Sequence, residues 1–107
     1  MTELNLNGNY LSSDIDVPTF HFEKLNVLNL SNNNLNGLNF IIGFNLPVLD
    51  KLYLTNNHIT DIEVLGNCDF KNLKELHLGI NDITKIDILE KCNFADIRKL
   101  ILTYNKV

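Results

Sequence analysis

One spacing constrains this chain more than any other property. Met1, Leu25, Leu49, Leu73 and Ile97 stand 24 residues apart, and each opens the same eleven-residue pattern. The five segments read MTELNLNGNYL, LNVLNLSNNNL, LDKLYLTNNHI, LKELHLGINDI and IRKLILTYNKV. Each fits L-x-x-L-x-L-x-x-N-x-L, with Ile, Val or Met in some of the Leu places. A period this regular marks stacked repeats, in which each unit buries its apolar face on its neighbours.

Positions are numbered from 1 to 24 within a unit. Position 4 is Leu4, Leu28, Leu52, Leu76 and Leu100, and position 6 is Leu6, Leu30, Leu54, Leu78 and Leu102. Apolar residues two apart share one face of a short strand, so positions 3, 5 and 7 point the other way. Strands repeated at a fixed period can stack as a parallel sheet, about 4.8 Å apart. Position 9 is Asn9, Asn33, Asn57, Asn81 and Asn105, which accounts for five of the 18 asparagines. The chain turns inward there, and an unpartnered buried polar group costs about 1–3 kcal/mol. An Asn amide offers two donors and an acceptor on a short stem, enough to satisfy such a turn.

These segments resemble the leucine-rich repeat family, and the resemblance covers the whole chain. It implies an α/β solenoid with a parallel β-sheet on the concave face and short 3₁₀, irregular or short helical convex arcs. It implies one repeat domain over residues 1–107, with units 1–24, 25–48, 49–72 and 73–96 and a partial unit 97–107. The position-9 asparagines then form a ladder between units.

The convex halves differ among themselves. Ile59, Ile62, Leu65 and Cys68, like Ile83, Ile86, Leu89 and Cys92, recur in steps of three, which suits a 3₁₀ turn. Unit two carries Gly37, Gly43 and Pro47, which predicts a looser arc. Unit one has Asp14 where the others have Leu38, Ile62 and Ile86, with Pro18 close behind; it is the candidate N-terminal cap.

The net charge of −4 argues against nucleic acid and anionic membrane surfaces as partners. No apolar run approaches the roughly 18 residues of a membrane span. The first residues, Met1 to Asn5, have neither a basic start nor an apolar stretch, so an intracellular, cytoplasmic location is expected over a secreted one. No Gly-rich phosphate loop, G-x-S-x-G elbow or Cys–His pair is present, so no enzyme activity, catalytic residue or cofactor is expected. Cys68 and Cys92 share position 20 with Phe20 and Phe44, an inward apolar column that fits free buried thiols. The alternative is a disulfide between stacked units. His21, His58 and His77 fall at three different positions without metal-ligand spacing, and read as surface residues. The glycosylation triplet Asn29-Leu30-Ser31 lies in a strand and is discounted.

The outward columns carry the functional reading. Position 3 alternates Lys51, Glu75, Lys99, with Asp50 beside Lys74 at position 2, an exposed charge ladder that serves register and solubility. Positions 5 and 8 change from small polar residues to Tyr53, His77, Ile80, Ile101 and Tyr104. Exposed aromatic and aliphatic side chains clustered among polar ones suit a binding patch. The competing reading packs Ile80 and Tyr104 against the sheet edge. The expected function is a non-catalytic protein–protein interaction module with a protein partner on the concave face. Two alternatives are a regulatory or substrate-recognition segment of a larger enzyme, and a glycan- or ligand-binding receptor fragment using Asn5, Asn29, Asn32 and Asn56.

Five strands give a face of about 400 Å² in projection. A stable protein partner usually needs about 800 Å² per side. The final layer of Leu100, Leu102 and Val107 has no following unit, which leads to either a longer parent chain or end-to-end self-association.

Overall fold

Alternation of Leu with outward residues produces one short strand per unit. In the computed structural model, which describes residues 2–13 and 20–107, these are β1 (Glu3–Asn5), β3 (Val27–Asn29), β5 (Lys51–Tyr53), β6 (Glu75–His77) and β7 (Lys99–Ile101). Between them lie β2 (Phe20–His21) and β4 (Phe44–Asn45) on the convex side. The five unit strands form one parallel sheet in the order β1-β3-β5-β6-β7. Leu4 pairs with Leu28, Leu28 with Leu52, Leu52 with Leu76 and Leu76 with Leu100, so the register repeats the sequence period. β2 and β4 pair in the same way, Phe20 with Phe44, as a second small parallel sheet.

The core lies between the sheet and the convex arcs. Leu28, Leu52 and Leu76 are fully buried, as are Leu35, Ile59 and Ile83 at position 11. Each is enclosed because a unit stands on both sides of it. Leu4, Leu6 and Leu11, with a neighbour on one side only, are half-buried. At the other end Leu100 is 39% and Val107 69% exposed. Burial of a Leu or Ile side chain stabilises by about 1.5–3 kcal/mol, so the stack is firmest in its middle units.

Three 3₁₀ turns form the convex arcs: η1 (Asn39–Gly43), η2 (Glu63–Asn67) and η3 (Asp87–Glu90). The looser arc expected for unit two is not found. η1 is as long as η2 and closes in the same way, with the N–H of Phe44 donating to the Ile41 carbonyl. Packing overrides the glycines: Phe40 and Ile41 are buried in η1 as Val64 and Leu65 are in η2. η3 has no fully buried residue; its Ile88 and Leu89 are half-buried against the core. Between η2 and η3 the approach is close, and a side chain at Gly66 would have to displace the end of Ile88. A Cβ on Gly66 would lie 2.7 Å from Ile88 Cδ1. The cap expected around Asp14 and Pro18 lies outside the described residues.

The asparagine ladder is present and explains the stacking. Asn57 donates from Nδ2 to its own unit's Leu54 carbonyl (3.2 Å) and to the preceding unit's Leu30 carbonyl (3.1 Å). Its Oδ1 accepts the Leu35 N–H (3.1 Å). Asn33, Asn81 and Asn105 repeat this arrangement on Leu6, Leu54 and Leu78. Each amide therefore ties two units together at a place where the backbone is buried. Asn57→Ala should leave the Leu35 N–H without its acceptor, while the Leu30 and Leu54 carbonyls each keep a second amide donor from Asn33 and Asn81, and should cost about 1–3 kcal/mol in urea denaturation, whereas exposed Asn93→Ala should stay within about 0.5 kcal/mol.

Candidate functional site

The outward side of the sheet is set by the pleat. Positions 3 and 5 of β5, β6 and β7 point away from the core, so register brings Tyr53, His77 and Ile101 into one row. The Tyr53 and His77 rings stack with centroids 4.6 Å apart and planes 26° from parallel. His77 Nε2 donates to Glu75 Oε1 at 3.0 Å, and Glu75 Oε2 lies 3.6 Å from Lys51 Nζ. The imidazole is largely covered by these neighbours, with 17% of its side chain accessible. The His77 hydrogen bond holds the Glu75 carboxyl below its ordinary value; Lys51, His77 and Lys99 charges add to this, and partial desolvation opposes it. Tyr53 and His77 thus brace one another, and with Ile101 they form a half-buried row.

Position 8 lies where the chain leaves the sheet. Its backbone is left-handed in every unit: Gly8 (φ 73), Asn32 (57), Asn56 (58), Ile80 (53) and Tyr104 (57). Gly, and to a lesser degree Asn, enter this region readily, while a β-branched residue there is an outlier. The N-terminal members follow that rule, and Ile80 and Tyr104 do not. The reading that packs them against the sheet edge is not met, since Ile80 is 47% and Tyr104 82% exposed. The fold needs the left-handed turn, so the Gly, Asn, Asn column was the legible signal for it in the sequence.

The two halves of the face differ in chemistry. In the N-terminal half Asn56 donates to Asn32 Oδ1 (2.7 Å), and Asn32 donates to Asn7 Oδ1 (2.9 Å). Asn5 and Asn29 turn their Oδ1 atoms onto the N–H groups of Asn7 and Ser31, both at 3.0 Å. In the C-terminal half ion pairs frame the ridge: Lys74 with Asp50 (3.6 Å), Lys106 with Asp82 (3.0 Å) and Arg98 with Asp96 (3.4 Å). The Lys51–Glu75 pair of the expected charge ladder forms; among the described residues no ion pair within 4 Å joins Lys99, although its charge is felt at Glu75.

The remaining candidates stay apart. His21 is on the convex side, 3.5 Å from the Asn45 amide, and His58 lies 3.9 Å from Asp82. The link from His77 to Glu75, two residues away on one strand face, is a contact that sequence reasoning missed, although the spacing carries it. Cys68 and Cys92 are free and half-buried; their Sγ atoms approach the Val64 and Ile88 carbonyls at 3.5 and 3.3 Å. Burial, with Cys92 nearby, pushes the Cys68 thiol up to about 11. Among the described residues no group of three His, Cys, Asp or Glu side chains is placed to hold a metal ion, and no helix is long and apolar enough to cross a membrane. A hollow of about 140 Å³ between the convex arcs, lined by Ile41, Phe44, Leu46, Pro47, Cys68 and Phe70 among others, involves none of the ridge residues. It is smaller than the roughly 300 Å³ at which small-molecule sites begin.

Two family models match the chain. One, described as "Leucine rich repeat", matches residues 1–59, and another, "Leucine Rich repeats (2 copies)", matches residues 47–91. No curated protein matches it.

The Glu75 geometry has a pH signature. Its carboxyl is held down in the folded chain, so its contribution is present above the ordinary value of 4.5 and is lost as pH falls through the lower folded-state value. Glu75→Gln should lower stability by at most about 1 kcal/mol at neutral pH, a partly exposed pair being screened by solvent. The gap from wild type should close in acid denaturation series; a gap independent of pH would reject this account.

Proposed function

Because the chain belongs to the leucine-rich repeat family, whose domains generally mediate protein–protein interaction, we propose that it binds a protein partner through the C-terminal half of its concave face. The contact residues in this reading are Tyr53, His77, Ile80, Ile101 and Tyr104. Repeats of this family are typically non-catalytic, and the face offers shape and side-chain complementarity rather than chemistry.

One observation carries the reading. Ile80 and Tyr104 hold a left-handed backbone that costs an L-residue roughly 1–2 kcal/mol, and they spend it on exposed apolar surface. Stability alone would favour Asn or Gly there, as in the preceding units. Strain retained with no packing return is found where a surface is used. The stacked Tyr53 and His77 add rigid contact area that has little conformational freedom left to lose on binding. The braced Glu75 and Lys51 form a polar rim on the same face, in keeping with the usual anatomy of an interface.

The two kinds of residue are separable by experiment. Ile80→Asn should raise stability by about 1 kcal/mol, since Asn tolerates the left-handed region, and at the same time weaken partner capture. Tyr53→Ala combined with Tyr104→Ala should reduce capture from native lysate, quantified by mass spectrometry, with little change in the thermal melt. Capture unchanged in both variants would remove the ridge and lip from the binding surface.

A further inference from the structure

The charge of this chain is sorted by side. In units three to five, the segments that build the sheet and its lip are 49–59, 73–83 and 97–107. They hold five cations, Lys51, Lys74, Arg98, Lys99 and Lys106, against three acids, Asp50, Glu75 and Asp82. The convex segments between them, 60–72 and 84–96, hold three lysines against six acids. A chain of net charge −4 therefore carries a surplus of positive charge on the side that bears Tyr53, His77, Ile80, Ile101 and Tyr104. Positions 3 and 5 leave the sheet on its outward side because of the pleat, whatever unit stands above or below them.

The acids of this side are already engaged. Register sets Glu75 between Lys51 and Lys99 in one row, and both charges act on its carboxyl. The same carboxyl accepts from His77. Asp82 meets Lys106 at 3.0 Å and lies 3.9 Å from His58. In each Lys or Arg ion pair named above the cation is the more exposed member, at 39% against 24% for Lys51 and Glu75 and 67% against 34% for Lys106 and Asp82. Following the chain out of each strand, the order across the face is position 3, 5, 8 and 10. The apolar side chains at positions 5 and 8 therefore lie between Lys51 and Lys99 on one side and Lys106 on the other.

We infer that the partner contacts this face through an acidic segment, in which carboxylates flank an aromatic or aliphatic side chain. The inference rests on the binding face proposed above and adds the chemistry of what that face takes. The apolar side chain covers Ile80, Ile101 and the Tyr53–His77 stack, and the carboxylates reach Lys51, Lys99 and Lys106. The apolar contact supplies most of the affinity, while the charges steer encounter and reject basic partners. A continuous line of phosphates fits less well, because Glu75 and Asp82 stand among these cations and would repel it, whereas carboxylates spaced along a peptide can avoid them.

The test is selection of a random peptide library displayed on phage against the immobilised wild-type chain, followed by fluorescence anisotropy of the selected peptides made synthetically. The bound peptides should be enriched in Asp and Glu around a Phe, Leu or Ile, and their affinity should fall as salt rises. Lys51→Gln combined with Lys99→Gln should weaken them about tenfold. Lys85→Gln combined with Lys91→Gln removes the same charge from the convex side and should leave them nearly unchanged. All four lysines are exposed or half-exposed, and circular dichroism should report wild-type folding for both variants. Tyr53→Ala combined with Tyr104→Ala separates this inference from the binding face it rests on. Peptides that lack acidic enrichment, and that the tyrosine variant weakens while the Lys51 and Lys99 variant does not, overturn the acidic partner and leave the face standing. Peptides indifferent to both variants overturn both. A library that yields no binder, an equal loss from the convex lysines, or tighter binding of a mixed-sequence single-stranded DNA than of any selected peptide overturns the acidic partner as well.

Discussion

The structure depends on the position-9 amides. A three-residue strand cannot hold a sheet by itself, and the turn that follows it buries backbone groups that no strand partner reaches. Asn33, Asn57, Asn81 and Asn105 each meet that need by reaching into the unit before them. The leucine layers then have a fixed spacing to pack against. Replacing these amides by apolar side chains of similar size would keep the burial and lose the satisfaction of the backbone, which is why leucine alone does not specify the stack.

Much of this was legible in the sequence because a period leaves little freedom. Leu at positions 4 and 6 fixed which side of each strand faces inward, and a constant offset fixed the register of all five strands. Local composition was a poorer guide. Gly37, Gly43 and Pro47 suggested a loose arc, yet Phe40 and Ile41 found neighbours to bury against and drew unit two into the common form. The candidate site was legible as a set of columns but not as an energetic statement. That Ile80 and Tyr104 sit in a left-handed backbone follows only when Gly8, Asn32 and Asn56 are read as conformational choices rather than as polar filler. The His77–Glu75 bond was hidden for a different reason: it lies within one strand, where the repeat register between units carries no sign of it.

The face is divided along the stack. Its N-terminal half spends its amides on each other and on its own backbone, leaving a polar, internally satisfied surface. Its C-terminal half exposes aromatic and aliphatic groups inside a frame of ion pairs. Desolvating the second half releases water from apolar area, whereas desolvating the first displaces water from groups that gain little in return. In the proposed binding mode this gradient favours one end of the face without any difference in backbone shape.

The constant offset also bears on how the chain reaches this state. Every rung, whether a strand bond or an amide bond, closes a loop of nearly the same length, with separations of 22 to 27 residues in the asparagine ladder. The entropy of closing such loops depends on length only logarithmically, so each unit meets the same toll when it joins the one before it. The first pairing is costly because one loop must close before any layer is complete. Later pairings land on a layer already formed. The chain is in this respect a zipper with one expensive tooth and identical ones after it, opening from its ends.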